Sequence, residues 1–276
     1  MRRNNHVTQN EYLLNEGSTL MSTTTIQSHI TYANSAFIDA SGYKEEHLIG
    51  EPHNVIRHPD MPAEAFGDMW YTLQQGESWT GLVKNRRRNG DHYWVRANVT
   101  PVYQNDTLTG YISVRNIPER HEIDASEALY QRVRNNEIKG HRFYKGVLVR
   151  RGILSFLSIF KRLSTAKRVN YSVGITALLA LALPLLLPGG VIQAGGLALL
   201  FILLALFLNA QICRPVTTIV KQMQRVVSGR KTDYTHFDRV DEIGLMMRLV
   251  NQSGLNLDSL VDDVGTQIIG IREISK

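Results

Sequence analysis

The stretch Tyr171–Cys213, YSVGITALLALALPLLLPGGVIQAGGLALLFILLALFLNAQIC, decides the large-scale layout of this chain. Over roughly 43 residues it carries no ionisable side chain beyond its own tyrosine and cysteine, and Pro188-Gly189-Gly190 interrupts it near the middle. A bilayer core takes about 20 apolar residues per helix, so one unbroken helix would overshoot it, and the Pro-Gly-Gly break marks where the chain reverses. The reading is a two-helix transmembrane hairpin over 169–213. A buried hairpin in a water-soluble protein is the competing reading, and it leaves leucine all around both helices with no cover in view.

Basic residues give the orientation. Lys161, Arg162, Lys167 and Arg168 precede the first span, Arg214, Lys221 and Arg225 follow the second, and the turn between them has neither Lys nor Arg. By the positive-inside rule both termini are expected in the cytoplasm. The first 20 residues are polar and hold no apolar core of a secretory signal, so the hairpin itself is expected to direct insertion.

The chain has 276 residues, 31 Lys+Arg against 25 Asp+Glu, and a net charge of +6, a balance that first suggests nucleic acid. The distribution argues against that partner. No carboxylate lies between Glu137 and Asp233, where about 14 basic residues sit, so the remainder is net acidic and the positive charge gathers beside the bilayer, facing anionic lipid headgroups. Cys213, the single cysteine, excludes an intramolecular disulfide and a CxxC metal site and reads as a small apolar residue at the end of a span. Upstream, in 150–163, Ile153, Phe156, Leu157 and Phe160 recur at helical spacing between basic flanks. This suits a helix lying in the headgroup plane or one packed against the soluble domain.

Residues 1–120 read as a compact α+β domain. Asn34 is placed to cap a helix over Ser35–Ala40, which Gly42 ends. A second helix is expected over about 62–73, because Phe66, Met69, Trp70 and Leu73 share one face. Trp79–Arg87 is a strand candidate, Asn89-Gly90 supplies the two positive-φ residues of a tight hairpin turn, Asp91–Tyr103 runs back, Asn105-Asp106 turns again and Gly110–Arg115 is a last strand. An antiparallel sheet with helices on one face leaves a cavity between the layers.

The segments Tyr32-Ala33-Asn34-Ser35-Ala36-Phe37, Ser41-Gly42-Tyr43, Gly50-Glu51-Pro52-His53-Asn54, Arg57-His58-Pro59-Asp60-Met61-Pro62 and Lys84–Val95 resemble the PAS domain of bacterial aerotaxis receptors. The hairpin and the region after it are placed as in that family, so the resemblance covers nearly the whole chain and implies a bacterial inner-membrane protein. It also implies that the PAS cavity holds FAD, whose redox state reports cellular energy and oxygen, and that flavin retention depends on Arg57, His58 and Asp60. The candidate cofactor-binding residues are Asn34, Arg57, His58, Asp60, Trp70, Trp79 and Asn85: Trp for ring packing, Asn for amide hydrogen bonds, Arg57 and His58 for positive charge. Asp60 cannot attract a phosphate, so it is assigned to holding Arg57, His58 or a loop amide. Trp70 reads equally as a core residue, Trp79 and Asn85 lie on an expected cavity-facing strand, Arg86-Arg87-Arg88 reads as a solvated rim, and His53 as structural.

Other ligands are weighed against the same residues. A covalent light-oxygen-voltage adduct needs a cavity cysteine, and none precedes Cys213. A haem needs an axial histidine, for which His58 or His53 are candidates. An empty cavity, in a PAS domain that only binds partners, stays open. A flavin oxidoreductase would need a second site, and no GxGxxG fingerprint occurs, so the chain reads as a sensor and not an enzyme, with no catalytic and no metal residues.

After the membrane, Val216, Ile219, Met223 and Val226, then Ile243, Met246, Val250, Ser253, Leu257, Leu260 and Val264, follow heptad-like spacing. Between them Ser228–Asp241 is a polar connector, and Asp241-Glu242-Ile243-Gly244 opens the second series. This layout resembles a HAMP domain over 214–266, with 121–168 as linker and 267–276 as the start of a further signalling helix. One narrow seam per helix needs four helices from two chains, so a homodimer is expected. The resemblance implies a sideways PAS–HAMP contact that relays flavin redox state. It also implies a chemotaxis kinase complex as partner, reached only through an output module that these 276 residues do not contain.

Overall fold

The structure is a computed structural model that describes residues 6–274 except 16, 139, 151–160, 162, 187–188 and 231–233, with side chains as far as 261. β1 (Leu20–Thr25), β2 (Ile30–Ala33), β3 (Trp79–Arg86), β4 (His92–Gln104) and β5 (Thr107–Asn116) form one antiparallel sheet in the order β2-β1-β5-β4-β3. The 13-residue β4 pairs along both edges, from Trp79↔Val99 to Arg86↔His92 on one side and from Arg96↔Asn116 to Gln104↔Thr107 on the other. Asn105 and Asp106 both take positive φ, 48° and 59°, the mirror-image turn that matches strand twist. The β3–β4 turn departs from the sequence reading. Only Gly90 has positive φ there, because pairing ends at Arg86↔His92 and Arg87 N donates to Asp91 O, giving a longer loop in place of a two-residue turn.

α1 (Ser35–Ser41) and α2 (Ala63–Gln74) cover one face of the sheet. Asn34 Oδ1 caps α1 by accepting from Phe37 N at 3.0 Å, and Gly42 closes it. Leu20, Ile30, Phe37, Leu48, Ile56 and Leu73 are almost fully buried between the layers, each contributing about 1.5–3 kcal/mol of transfer free energy.

The segment read as linker is largely ordered structure. α3 (Arg120–Arg134) opens with a reciprocal Glu119/Glu122 capping box and returns along the other face of the sheet. Tyr130 stacks on Trp94 with ring centroids 6.2 Å apart and donates its hydroxyl to Leu82 O at 2.6 Å, while Glu122 pairs with Arg96. β6 (His141–Tyr144) and β7 (Val147–Arg150) form a separate hairpin. The headgroup-plane helix expected over 150–163 falls mostly on residues outside those described.

α4 (Thr165–Leu186) and α5 (Val191–Leu208) pack on each other across the Gly189-Gly190 turn, and both are long and apolar enough to cross a bilayer. α4 begins four residues ahead of the expected 169, so Lys167 and Arg168 lie in its first turn. α5 does not stop at Arg214-Pro215. It passes through a π turn, Asn209–Cys213, into α6 (Arg214–Val227), with Pro215 where its missing N–H costs nothing. A connector then leads to α7 (Glu242–Ile274), one uninterrupted helix through residue 266.

Ile219 on α6 packs with Ile243 and Met247 on α7. Met223, Met246, Leu257 and Leu260 of the expected seams stay exposed, so a single chain buries only part of them. At the foot of the hairpin, Lys161 pairs with Asp238, Thr165 donates to Asp241 and Glu242, and the fully buried Asp241 carboxylate lies between Arg168, at 3.5 Å, and Arg239. The N-terminal domain also reaches α7: Arg96 stacks over Tyr234 of the connector at 3.9 Å, and Asn34 Nδ2 lies 3.4 Å from Ser259 Oγ.

Candidate functional site

A cavity of about 270 Å³ lies between the sheet and α2. Its walls follow the two periodicities of the elements that make them. Phe66, Met69, Trp70 and Leu73 come from one face of α2, and Val83 and Asn85, Ala97 and Val99, and Tyr111, Ser113 and Arg115 come from alternate positions of β3, β4 and β5. Trp70 meets Tyr111 edge-on at 5.4 Å. The loop between β1 and β2 and the turn His53–Ile56 supply the remaining wall, where Gln27 and Asn54 are exposed and Ser28 is half-buried.

Of the polar residues that line the cavity, Asn85, Ser113 and Arg115 are buried. Asn85 Nδ2 and Ser113 Oγ have no hydrogen-bond partner among the described residues, and an unpaired buried donor costs about 1–3 kcal/mol unless something fills the space beside it. Arg115 is buried without a carboxylate partner among the described residues. Its guanidinium donates to His53 Nε2 at 2.7 Å, Ser22 Oγ at 3.1 Å and Ser113 O at 3.2 Å and stacks on Phe37 at 4.9 Å. Burial pulls the Arg115 pKa down to about 10, and burial together with that guanidinium pulls His53 down to about 3, so the imidazole is neutral. Arg57 stacks over Phe66 at 4.1 Å and donates to Met61 O at 3.4 Å, and burial lowers its pKa. The cavity therefore offers flat apolar walls, unpaired amide and hydroxyl groups, and an uncompensated positive charge at one end.

Of the seven residues singled out from the sequence, Arg57, Trp70 and Asn85 line the cavity and the other four do not. Asn34 has its amide committed to capping, accepting from Met21 N and Phe37 N and donating to Thr19 O. Trp79 lies flat over Gly81, with its indole N–H held by Asp68 Oδ2 at 2.9 Å. His58 and Asp60 follow Arg57 into a turn beyond the bridge that joins Arg57 to Asn85, and Asp60 meets Lys84, which points to the face of β3 opposite the cavity-lining Val83 and Asn85. There His58 Nδ1 accepts from Asp60 N at 3.1 Å, and Asp60 pairs at 3.0 Å with Lys84, which also pairs with Glu127 at 2.8 Å. Arg134 donates to the Asp60 carbonyl. Burial holds the His58 pKa down at about 4, despite Asp60 beside it. These two residues pin the loop that presents Arg57 to the cavity.

Sequence reasoning passed over Arg115, Ser113 and Tyr111, and set His53 aside. The alternation of β5 carries the signal: once Tyr111 faces inward, Ser113 and Arg115 must follow.

The PAS fold family matches residues 30–115. The aerotaxis receptor of Escherichia coli is 40% identical over 271 residues, covering 98% of this chain and 53% of that protein. The nitrogen fixation regulatory protein of Klebsiella pneumoniae is 31% identical over 125 residues, 45% of this chain and 24% of that protein. A light-oxygen-voltage domain structure aligns at 20% identity and TM-score 0.35, over 43% of this chain and 87% of that one. Residues 30–115 are thus a PAS domain, and the chain as a whole is a homologue of the aerotaxis receptors, spanning about half the length of the one from E. coli.

Proposed function

We propose that this chain is the sensory and membrane-anchoring part of an aerotaxis receptor, and that its PAS cavity holds the flavin of FAD. The observation that carries the reading is the union, in one apolar cavity, of unpaired Asn85 Nδ2 and Ser113 Oγ with the Arg115 charge that lacks a carboxylate. Bound there, FAD supplies reversible electron acceptance. A cavity of about 270 Å³ suits its fused ring system, and the exposed lining residues leave an opening for the remainder of the molecule. Trp70, Tyr111 and Phe66 pack on the rings, Asn85 and Ser113 answer the polar ring edge, and Arg115 and Arg57 supply positive charge. His58, Asp60, Asn34 and Trp79 act as positioning residues.

The rest of the chain fits a two-span anchor in the bacterial inner membrane, both termini cytoplasmic, with 214–266 as a HAMP-type converter. Met223, Met246, Leu257 and Leu260, exposed on one chain, are the surface for a second copy. The contacts of Arg96 and Asn34 with Tyr234 and Ser259 support a sideways link between PAS domain and converter. Signalling, not turnover, is the output. A haem is disfavoured because His58 faces away from the cavity and His53 Nε2 is already engaged by Arg115. Purification in mild detergent with flavin supplied, followed by absorption spectroscopy, tests the proposal: flavin bands that migrate with the protein support it, and a colourless folded protein or a porphyrin band removes it.

A further inference from the structure

The hairpin β6–β7 touches both α2, on the wall of the cavity, and Val240 of the connector that leads into α7. Asp68 stands on α2 beside the cavity-lining Met69 and Trp70, and is buried. Its carboxylate is fully engaged: Oδ1 accepts from Lys145 N at 2.6 Å, and Oδ2 accepts from Gly146 N at 2.7 Å and from the Trp79 indole at 2.9 Å. Lys145 Nζ adds an ion pair to Glu77 at 2.6 Å. One carboxylate thus joins α2, the start of β3 and the tip of the hairpin by charge-assisted bonds. The tip sits so close that a Cβ on Gly146, at φ +82°, would stand 2.2 Å from Thr80 O.

Beyond the tip, Val147 and Val149 form a small apolar cluster with Val240 of the connector. Val240 N donates to Lys161 O at 3.0 Å, ahead of α4. The next residue is Asp241, held between Arg168 and Arg239 where α7 begins. Three short steps therefore lead from the cavity wall to the junction of both membrane helices with α7.

We infer that the β6–β7 hairpin is a relay, with Asp68 and Gly146 as its receiving contact and Val240 as its delivering contact. A shift of α2 or of the Trp79 end of β3 moves the carboxylate, the carboxylate moves the tip, and the tip moves the Val147–Val149–Val240 cluster beside Asp241. Asp68 is a positioning residue in this scheme, because it does not line the cavity. The relay takes the cavity as the sensory site, as proposed above, and adds a route by which its state leaves the domain. It runs in addition to the direct contacts of the PAS domain with Tyr234 and Ser259.

Hydrogen exchange on the full chain in lipid nanodiscs tests it. Gly146→Ala should raise exchange at Lys145 and Gly146 by about tenfold or more and raise it also at 240–245, with the β3–β4 ladder unchanged. Asp68→Asn, which keeps the side-chain shape, is the milder arm and should show the same pattern with smaller changes. Faster exchange at the tip with wild-type exchange at 240–245, in either variant that keeps the ladder protected, would overturn the relay. Dithionite reduction supplies a second reading. In the wild type it should change exchange in both 63–79 and 240–245, and in Gly146→Ala only in 63–79; a change at 240–245 in that variant as large as the wild type's also overturns the relay. If absorption shows no flavin, the cofactor proposal fails, while the two substitutions still decide the relay.

Discussion

Arg115 donates to His53 Nε2 at 2.7 Å inside the cavity, and this contact fixes the proton state of both side chains. A guanidinium has no acceptor, so the imidazole must present a bare Nε2 and stay neutral. The positive charge of Arg115 is then left for whatever fills the cavity.

Reduction of a flavin adds electron density to its ring system, so removal of this cation should make reduction harder. Arg115→Met is expected to lower the midpoint potential by about 30–60 mV, and Arg115→Lys should fall between it and the wild type. Spectroelectrochemical titration gives the value. A midpoint that does not move would place Arg115 away from the ring.

His53 and His58 have folded pKa values lowered, mainly by burial, from 6.5 to about 3 and about 4. Between pH 6.5 and 4 the unfolded chain binds protons on them that the folded chain refuses, so stability rises with pH and is lost as pH falls through this window. The slope reaches about 1.4 kcal/mol per pH unit for each histidine. Thermal unfolding at pH 7, 6 and 5 should show a falling midpoint, and the double variant His53→Gln with His58→Gln should flatten it. A wild-type midpoint constant over this range contradicts the buried neutral pair.

Arg57 and Asp60 are close in sequence and opposite in role. Arg57→Ala should give a folded protein without chromophore, because Arg57 lines the cavity and stacks on Phe66. Asp60→Ala leaves Lys84 with Glu127 alone and frees the loop, so it should cost about 1–2 kcal/mol of stability and weaken flavin retention without abolishing it. Circular dichroism and flavin-to-protein ratio separate the two. A full flavin complement in Arg57→Ala would remove Arg57 from the site.

The surface left open on α7 bears on assembly. Leu257 is exposed on one chain, and a glutamate there would bury a charge in a two-chain bundle. Leu257→Glu should weaken self-association about 100-fold or more, read by light scattering of the detergent-solubilised protein across a concentration series. Equal association of both proteins would count against a bundle through this face.

What could be read from the sequence followed from local rules. The helical periodicity of α2, the Asn34 cap and the Asn105-Asp106 turn are local, and each lies where it was expected. The apolar hairpin needed only length and composition. α3 was missed because it is polar nearly throughout and buries only Ile123 and Tyr130, so its place is set by Trp94 and Arg96 on a strand far away in sequence. β6 and β7 were missed because each is four residues long and is held by Asp68 and Val240 from outside.

The site was legible in the same uneven way. Arg57, Trp70 and Asn85 sit where helix face and strand parity point inward. Trp79 and Asn34 have the right chemistry but spend it on Asp68 and on a helix cap. Arg115 was overlooked because an arginine at a strand end usually reaches solvent, and here only the tertiary position of His53 and Phe37 keeps it inside.

An anaerobic reductive titration of the purified full chain in detergent, followed by visible absorption, addresses the central claim most directly. The account predicts a yellow protein with about one flavin per chain whose bands bleach on reduction and return with oxygen. A well-folded protein with no chromophore, or with an iron-porphyrin spectrum, would contradict it.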